Sequence, residues 1–332
     1  MPTRAERGLR RLVATGLVAL PVLAAAPAHA DGRLHAHRVL SFADPRVIES
    51  SGLVDDGRLL FTINDSGDGP YVYAVDSRTG QTAGVTTYSS GDVTDVEAIA
   101  PGRGGTVWVG DLGDNRGDRD AVDVYRLRPA RGTGTVPSTR YRFVYPDGPR
   151  DAEALLVDPR SGRLLVVSKS VFGATVYRAP ARLDPAGMNR LRPFASVEGL
   201  VTDGAFFPDG RHVVLRTYDS ASTYTYPDFA LVGTVRLPDQ DQGEGIAVGR
   251  DGRVLLSSEG LHSPVLQVTL PSWMTRPPAT RTAPVPPTPS PSPRPGNLDP
   301  PSTVDDWWRA GAVGAVLLGV GLAGARLLRR PR

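Results

Sequence analysis

Through most of this chain apolar and polar positions alternate in short runs divided by Gly-containing turns, the pattern of half-buried strands rather than helices. One phrase recurs five times. An acidic residue and a small residue open an apolar run, a Gly turn follows, and a second apolar run ends in polar residues. The copies begin at Glu49-Ser-Ser-Gly52, Asp95-Val-Glu97-Ala98, Asp151-Ala-Glu153-Ala154, Thr202-Asp203-Gly204 and Gln242-Gly-Glu244-Gly245. Between the first two runs stand Asp56-Gly57, Gly104-Gly105, Ser161-Gly162, Asp209-Gly210 and Asp251-Gly252, which are hairpin turn chemistries. A third run carries Tyr at Tyr71, Tyr73, Tyr125, Tyr177, Tyr224 and Tyr226, and fourth runs follow at 84–88, 140–145, 193–197 and 231–235.

The small residues at 52, 98, 154, 204 and 245 are 46, 56, 50 and 41 residues apart. Four strand-like runs per unit at a period of roughly 40–50 residues are what propeller blades require. The sequence therefore predicts an all-β domain over 31–275, a five-bladed β-propeller. A sixth blade hidden in the long second unit is the rival count. The fifth copy has three runs and stops at Pro271, while Leu34 to Leu40 alternates without a unit of its own. This stretch is predicted to supply the missing outer strand, closing the ring and removing an exposed edge.

The ends of the chain read differently. Residues 1–30 have a basic start (Arg4, Arg7, Arg10, Arg11), a short apolar core and the small-x-small site Ala28-His29-Ala30, which predicts a signal peptide cleaved after Ala30. Residues 276–306 are dense in Pro, Ser and Thr and predict an extended linker. Residues 307–328 open on Trp307 and Trp308 and continue in an apolar run, with Arg329, Arg330 and Arg332 behind them. That predicts one C-terminal transmembrane helix and a basic cytoplasmic tail at 329–332. The expected location is the cell membrane, with the propeller domain outside. Without Cys the domain has to stand on its core alone.

Charge follows the same division. The chain is +3; the signal carries +3 and residues 276–332 carry +5, which leaves −5 on residues 31–275. The high isoelectric point of 9.3 thus belongs to the targeting and anchoring segments, and the domain has no basic face for nucleic acid. Lys169 is the only lysine against 37 arginines.

An antiparallel meander of four strands brings residues before the first strand and after the second to one face of the ring. Before the first strands stand Glu49, Glu97, Glu153, Asp203 and Glu244, with Asp95 and Asp151 nearby; after the second stand Asp65, Asp111, Asp114, Asn115, Lys169 and Glu259. Carboxylates crowded in this way must be protonated, hydrogen-bonded or neutralised by a cation. Oxygen-only donors in a wide ring suit Ca²⁺ best, with Mg²⁺ or Mn²⁺ behind it. The alternative is that they cap strand ends. On the cation reading the ligand candidates are Glu97, Asp111, Glu153, Glu244, Asp65 and Asp203. Lys169, Asp114, Asn115, Glu49 and Glu259 are candidates for contacting a bound molecule, and the reading preferred for Lys169 is that it neutralises Glu153. The chain contains no G-x-S-x-G elbow, no H-E-x-x-H and no P-loop. His262 alone among the imidazoles falls in a loop on the acidic face.

The series Asn64-Asp65-Ser66-Gly67, Val96-Glu97-Ala98-Ile99-Ala100, Gly110 to Asn115, Asp151-Ala-Glu153-Ala154-Leu155 and Thr202-Asp203-Gly204-Ala205 resembles secreted actinobacterial β-propeller proteins of the WD40-like or phytase-like (esterase-like) type. More distantly it resembles calcium phytases and metal-dependent lactonases, whose central acids hold a divalent cation. That likeness implies metal-site roles for Glu97, Asp111, Glu153 and Glu244. The Lys and Arg cluster expected of a phytase is missing. Two functions remain open: a tethered binding module for an extracellular ligand or protein, with or without Ca²⁺, and a metal-dependent hydrolase of phosphoesters, esters or lactones.

Overall fold

The computed structural model describes residues 28–275 apart from 66, 90 and 131. The expected linker, transmembrane helix and tail, and all but the last three residues of the expected signal peptide, lie outside the described residues. Among the described residues no helix is long and apolar enough to cross a membrane.

Strands β1 (Ala28–Arg33) and β2 (Ala36–Ser41) come first in the chain. Blade I holds β3 (Ser50–Asp55), β4 (Leu59–Asn64), β5 (Tyr71–Asp76) and β6 (Thr82–Tyr88). Blade II holds β7 (Val96–Pro101), β8 (Val107–Asp111), β9 (Val122–Leu127) and, after the short β10 (Gly134–Val136), β11 (Ser138–Val144). Blade III holds β12 (Ala152–Val157), β13 (Leu164–Ser168), β14 (Ala174–Arg178) and, after β15 (Met188–Arg190), β16 (Arg192–Val197). Blade IV holds β17 (Asp203–Phe206), β18 (His212–Arg216), β19 (Ser220–Thr225) and β20 (Leu231–Arg236). Blade V holds β21 (Gly243–Val248), β22 (Val254–Ser258) and β23 (Pro264–Val268). Its fourth strand is β2, antiparallel to β23. The ring has five blades and closes as the alternation predicts; the extra length of the second unit goes into loops and β10, not a sixth blade.

Both faces of every blade are covered, so the core is divided into five clusters, one per interface. Phe61 and Ile63 meet Ile99 and Val109 between blades I and II. Trp108 and Phe143 meet Leu155 and Tyr177 between II and III. Leu156 and Val167 meet Leu215 and Phe229 between III and IV. Val214 and Val235 meet Ile246 and Leu256 between IV and V. Leu40 and Phe42 join Leu255 to Leu60 and Tyr73 between V and I. Strands buried on both sides cannot keep a strict apolar–polar alternation, which is why β4, β8 and β13 read as nearly continuous apolar runs.

The outer edges of blades I, II and IV are guarded by one repeated device. β10 runs back to pair in parallel with β6 of the preceding blade, and β15 does the same with β11. β1 pairs in parallel with β20. Because β2 belongs to blade V, β1 stands to β2 as β10 stands to β11. The device satisfies N–H and C=O groups that an open outer strand would leave as a template for aggregation.

Candidate functional site

Four of the five inner strands begin with the same irregularity. Val96 faces Asp111 but Ala98 faces Gly110, so Glu97 is an extra residue in β7. The same shift leaves Ser51 extra in β3 and Glu153 extra in β12. In β21 it falls between Gly243 and Ile246, at Glu244-Gly245. A bulge bends the strand and re-aims the side chain it carries, and here it gathers Glu97, Glu153 and Glu244 at one mouth of the central channel. Blade IV lacks the bulge. Asp203 stays in register with Arg216, and its carboxylate accepts Gly204 N–H at 2.7 Å and Ile246 N–H at 2.8 Å. Burial pushes the Asp203 pKa well up, against the pull of these bonds. Asp203 therefore ties blade IV to blade V inside the wall.

Among the described residues Asp65, Asp95 and Glu97 come together, with one carboxylate oxygen of each lying within 4.8 Å of the other two. Asp65 follows β4 and is positioned by its N–H bond to Glu49 C=O at 2.9 Å. Asp95 precedes β7, and its carboxylate lies against Gly113, where any Cβ would collide with it. Glu97 is 4 % exposed. Its Oε2 accepts Ser51 Oγ–H at 3.2 Å. Burial, then the negative charges of Glu153, Asp65 and Asp95, push its pKa up to about 10 against the influence of Lys169.

Beside this triad Lys169 forms an ion pair with Glu153 Oε1 and lies 5.3 Å from the Tyr218 ring centre. Burial pushes Glu153 up to about 8, with the Lys169 hydrogen bond and charge opposing. For Lys169 burial works downward, but the pairing with Glu153 outweighs it and the net shift is upward. Glu153 Oε2 has no hydrogen-bond partner among the described residues, although Glu153 is only 5 % exposed. On the far side Gln242 Nε2 donates to Glu244 at 3.3 Å and to Glu259 at 2.6 Å. Burial raises the Glu244 pKa. Burial together with Glu244, Asp65 and Glu49 pushes Glu259 up to about 7. Glu49 and Glu259 face each other in an isolated bridge across the seam of blades I and V.

The remaining sequence candidates are used by their own loops. Asp111 accepts Thr94 and Asp95 N–H, each at 3.0 Å, and pairs with Arg119 at 2.8 Å. Asp114 accepts Asp118 N–H at 2.9 Å and Arg119 N–H at 3.2 Å. Asn115 is exposed on the same loop. His262 Nδ1 donates to Phe42 C=O at 2.9 Å, which pins the last loop to the closing strand. Arg216 is the residue that pattern reading missed. It is fully buried, donating to Gly245 C=O at 2.7 Å, Ser257 C=O at 2.9 Å and Gln240 Oε1 at 2.7 Å. Burial pushes its pKa down to about 10. The available signal was its position: Arg216 ends β18 where the other blades end in Asn64, Asp111, Ser168 and Ser258.

No protein-family model matches this chain, and no curated protein matches it. Among solved structures it is similar to a gluconolactonase from Xanthomonas campestris, with 16 % identity and a TM-score of 0.42 over 76 % of this chain and 99 % of that one. It is also similar to the glutaminyl cyclase of Myxococcus xanthus, with 13 % identity and a TM-score of 0.45 over 72 % of this chain and 99 % of that one. Likeness at this level assigns no residue a role; the five-bladed β-propeller rests on the chain's own strand pairing.

Proposed function

We propose that this protein is an extracytoplasmic binding module, tethered by its C-terminal segment, whose channel mouth holds a divalent cation. The observation that carries the reading is the triad Asp65, Asp95 and Glu97. Ca²⁺–oxygen distances are about 2.4 Å, so oxygens up to about 4.8 Å apart can share one ion. The donors are carboxylates from two chain segments, the loop after β4 and the start of β7, and oxygen-only donors suit Ca²⁺ better than a soft or tetrahedral metal. A cation would also offset the burial and the neighbouring negative charges that push the Glu97 pKa up.

A metal-dependent hydrolase of phosphoesters, esters or lactones draws on Glu153. A buried carboxyl titrating near 8, with one free oxygen beside the triad, is suited to moving a proton at neutral pH. Turnover of p-nitrophenyl acetate or p-nitrophenyl phosphate that requires Ca²⁺ and is lost in Glu153→Gln would favour this second reading.

The test of the cation is thermal. An ion that binds only the folded state adds about 2.7 kcal/mol at a hundredfold excess over Kd. Millimolar Ca²⁺ should raise the Tm of residues 28–275, and Glu97→Gln should abolish the rise. If Ca²⁺, Mg²⁺ and Mn²⁺ all leave the melt unchanged and calorimetry registers no binding, the acids serve the fold alone.

A further inference from the structure

Between the loops that follow β8 and β13 an open groove of about 620 Å³ runs toward the channel mouth, lined by Arg116, Arg150, Lys169, Val171, Phe172 and Leu200 among others. Phe172 is 97 % exposed and Val171 73 %. Their loop is short and internally bonded, with Phe172 N–H to Ser170 Oγ at 3.2 Å and Gly173 N–H to Ser170 C=O at 3.3 Å. The two side chains are thus held outward, away from the core. Large exposed apolar side chains are few among the described residues. Ile48, Val171, Phe172 and Leu261 stand on loops of the acidic face, and Met188 on an outer strand. Apolar surface collected on one face marks a place where something binds.

The charges in the groove select the sign of that partner. The acids that line it are engaged by backbone: Asp114 accepts two N–H groups, and Asp151 Oδ1 accepts Asp114 N–H at 2.9 Å. Arg150 is held by Asp147 at 3.0 Å. Arg116 is exposed and makes no ion pair among the described residues, and Lys169 has three ammonium protons, of which Glu153 takes one and the Tyr218 side chain a second. A reachable ammonium therefore stands at the inner end of the groove and an aromatic side chain at its rim.

We infer that this groove is the ligand seat and that the ligand is a small amphiphilic carboxylic acid, its carboxylate on Lys169 and its apolar body along Val171 and Phe172. The inference deepens the proposed binding role, and it rests on that reading only in setting the carboxylate beside the cation triad. A carboxylate is the better fit than a phosphate because it brings one negative charge to Lys169, whereas a phosphate brings nearly two into a mouth that already holds Glu97, Glu153 and Glu244.

Sodium octanoate is the probe, titrated by calorimetry into residues 28–275, which hold all five blades and every interface core, with and without Ca²⁺. Saturable one-to-one binding is expected. Phe172→Ser should weaken it about tenfold through lost apolar cover, and Lys169→Gln should abolish it. Because Phe172 is almost wholly exposed, its replacement leaves the ring folded and the comparison interpretable. Octylammonium binding as tightly as octanoate, octyl phosphate binding more tightly, or Phe172→Ser without effect would each overturn the inference. If Ca²⁺ does not bind but octanoate does, with these variant effects, the cation reading fails and the groove stands. If Ca²⁺ raises the Tm and octanoate binds in neither condition, the groove fails alone.

Discussion

Acidic residues that look alike in the sequence carry three different charges of work at the mouth of this ring. Asp203 and Asp111 accept backbone N–H groups and shape the wall. Glu153 is matched by Lys169. Glu97 accepts from Ser51 and sits buried among other acids, and burial with those charges raises its pKa. The sign of the consequence is fixed by linkage. Glu97 and Glu153 titrate near 10 and 8 in the folded state, against about 4.3 unfolded. Between those values the folded state binds more protons, so stability is greatest at low pH and falls as pH rises from about 5 toward 10. The slope is about 1.4 kcal/mol per pH unit for each carboxyl protonated only when folded. Asp44, held down to about 2 chiefly by its Arg46 hydrogen bond, titrates below this window. Residues 28–275 without metal should therefore melt lower at pH 8 than at pH 5.5, and Glu97→Gln should flatten the difference. Ca²⁺ displaces those protons, so its stabilisation should be larger at pH 8. Equal melts at both pH values without metal would show that these carboxyls are ionised throughout.

Elements explain why the sequence disclosed the strands but not which acids the structure brings together. Period-two alternation, Gly turns and the acid-small opening are local signals, and from them the inner strands, the hairpin turns and the closing role of Leu34 to Leu40 follow. The bulge is not local. It exists only when a strand is set against its partner, and nothing distinguishes Glu97-Ala98, which is bulged, from Asp203-Gly204, which is in register. The sequence therefore ranked Asp111 and Asp203 beside Glu97 as ligands and placed Asp95 only nearby. β10 and β15 also went unread, being three residues each, too short to show alternation. Arg216 went unread because one buried cation leaves no pattern. The loop after β8 gives the bulge its value by bringing Asp95 over Gly113. Gly113 N–H donates to Asp95 C=O at 3.1 Å while the missing side chain makes room for the Asp95 carboxylate. Gly113→Ala should push that carboxylate out of the triad. The expected result is about a tenfold loss of Ca²⁺ affinity, the scale of losing a ligand's support, with strand content unchanged by circular dichroism. Unchanged affinity would remove Asp95 from the ligand set.

At the scale of the whole molecule the ring is a closed series of five interface cores, and a closed series fails at its seam. That seam is blade V, whose outer strand comes from the start of the domain. β2 contributes Leu40, and the following residues contribute Phe42 and Val47, to the core shared by blades V and I. Phe42 and Val47 are both fully buried. β1 adds a parallel strand on blade IV, and cleavage after Ala30 would leave residues 31–33 of it. A chain reduced to 43–275 loses β1, β2 and Phe42 together. It exposes the β23 edge, opens the β20 edge and leaves a cavity where an aromatic ring stood; a buried Phe lost to truncation costs about 3–5 kcal/mol by itself. Against a whole-domain stability of about 5–15 kcal/mol the ring should not survive this. The shortened chain is expected to aggregate, because unpaired strand edges seek partners, and a synthetic peptide spanning 28–45, added during refolding, should restore a monomer and a cooperative melt. The same opening separates Glu49 from Glu259 across the seam, so Ca²⁺ stabilisation should return only with the peptide. A 43–275 chain that stays monomeric with an unchanged Tm would mean that blade V stands with three strands, and that the first segment decorates the ring rather than closing it.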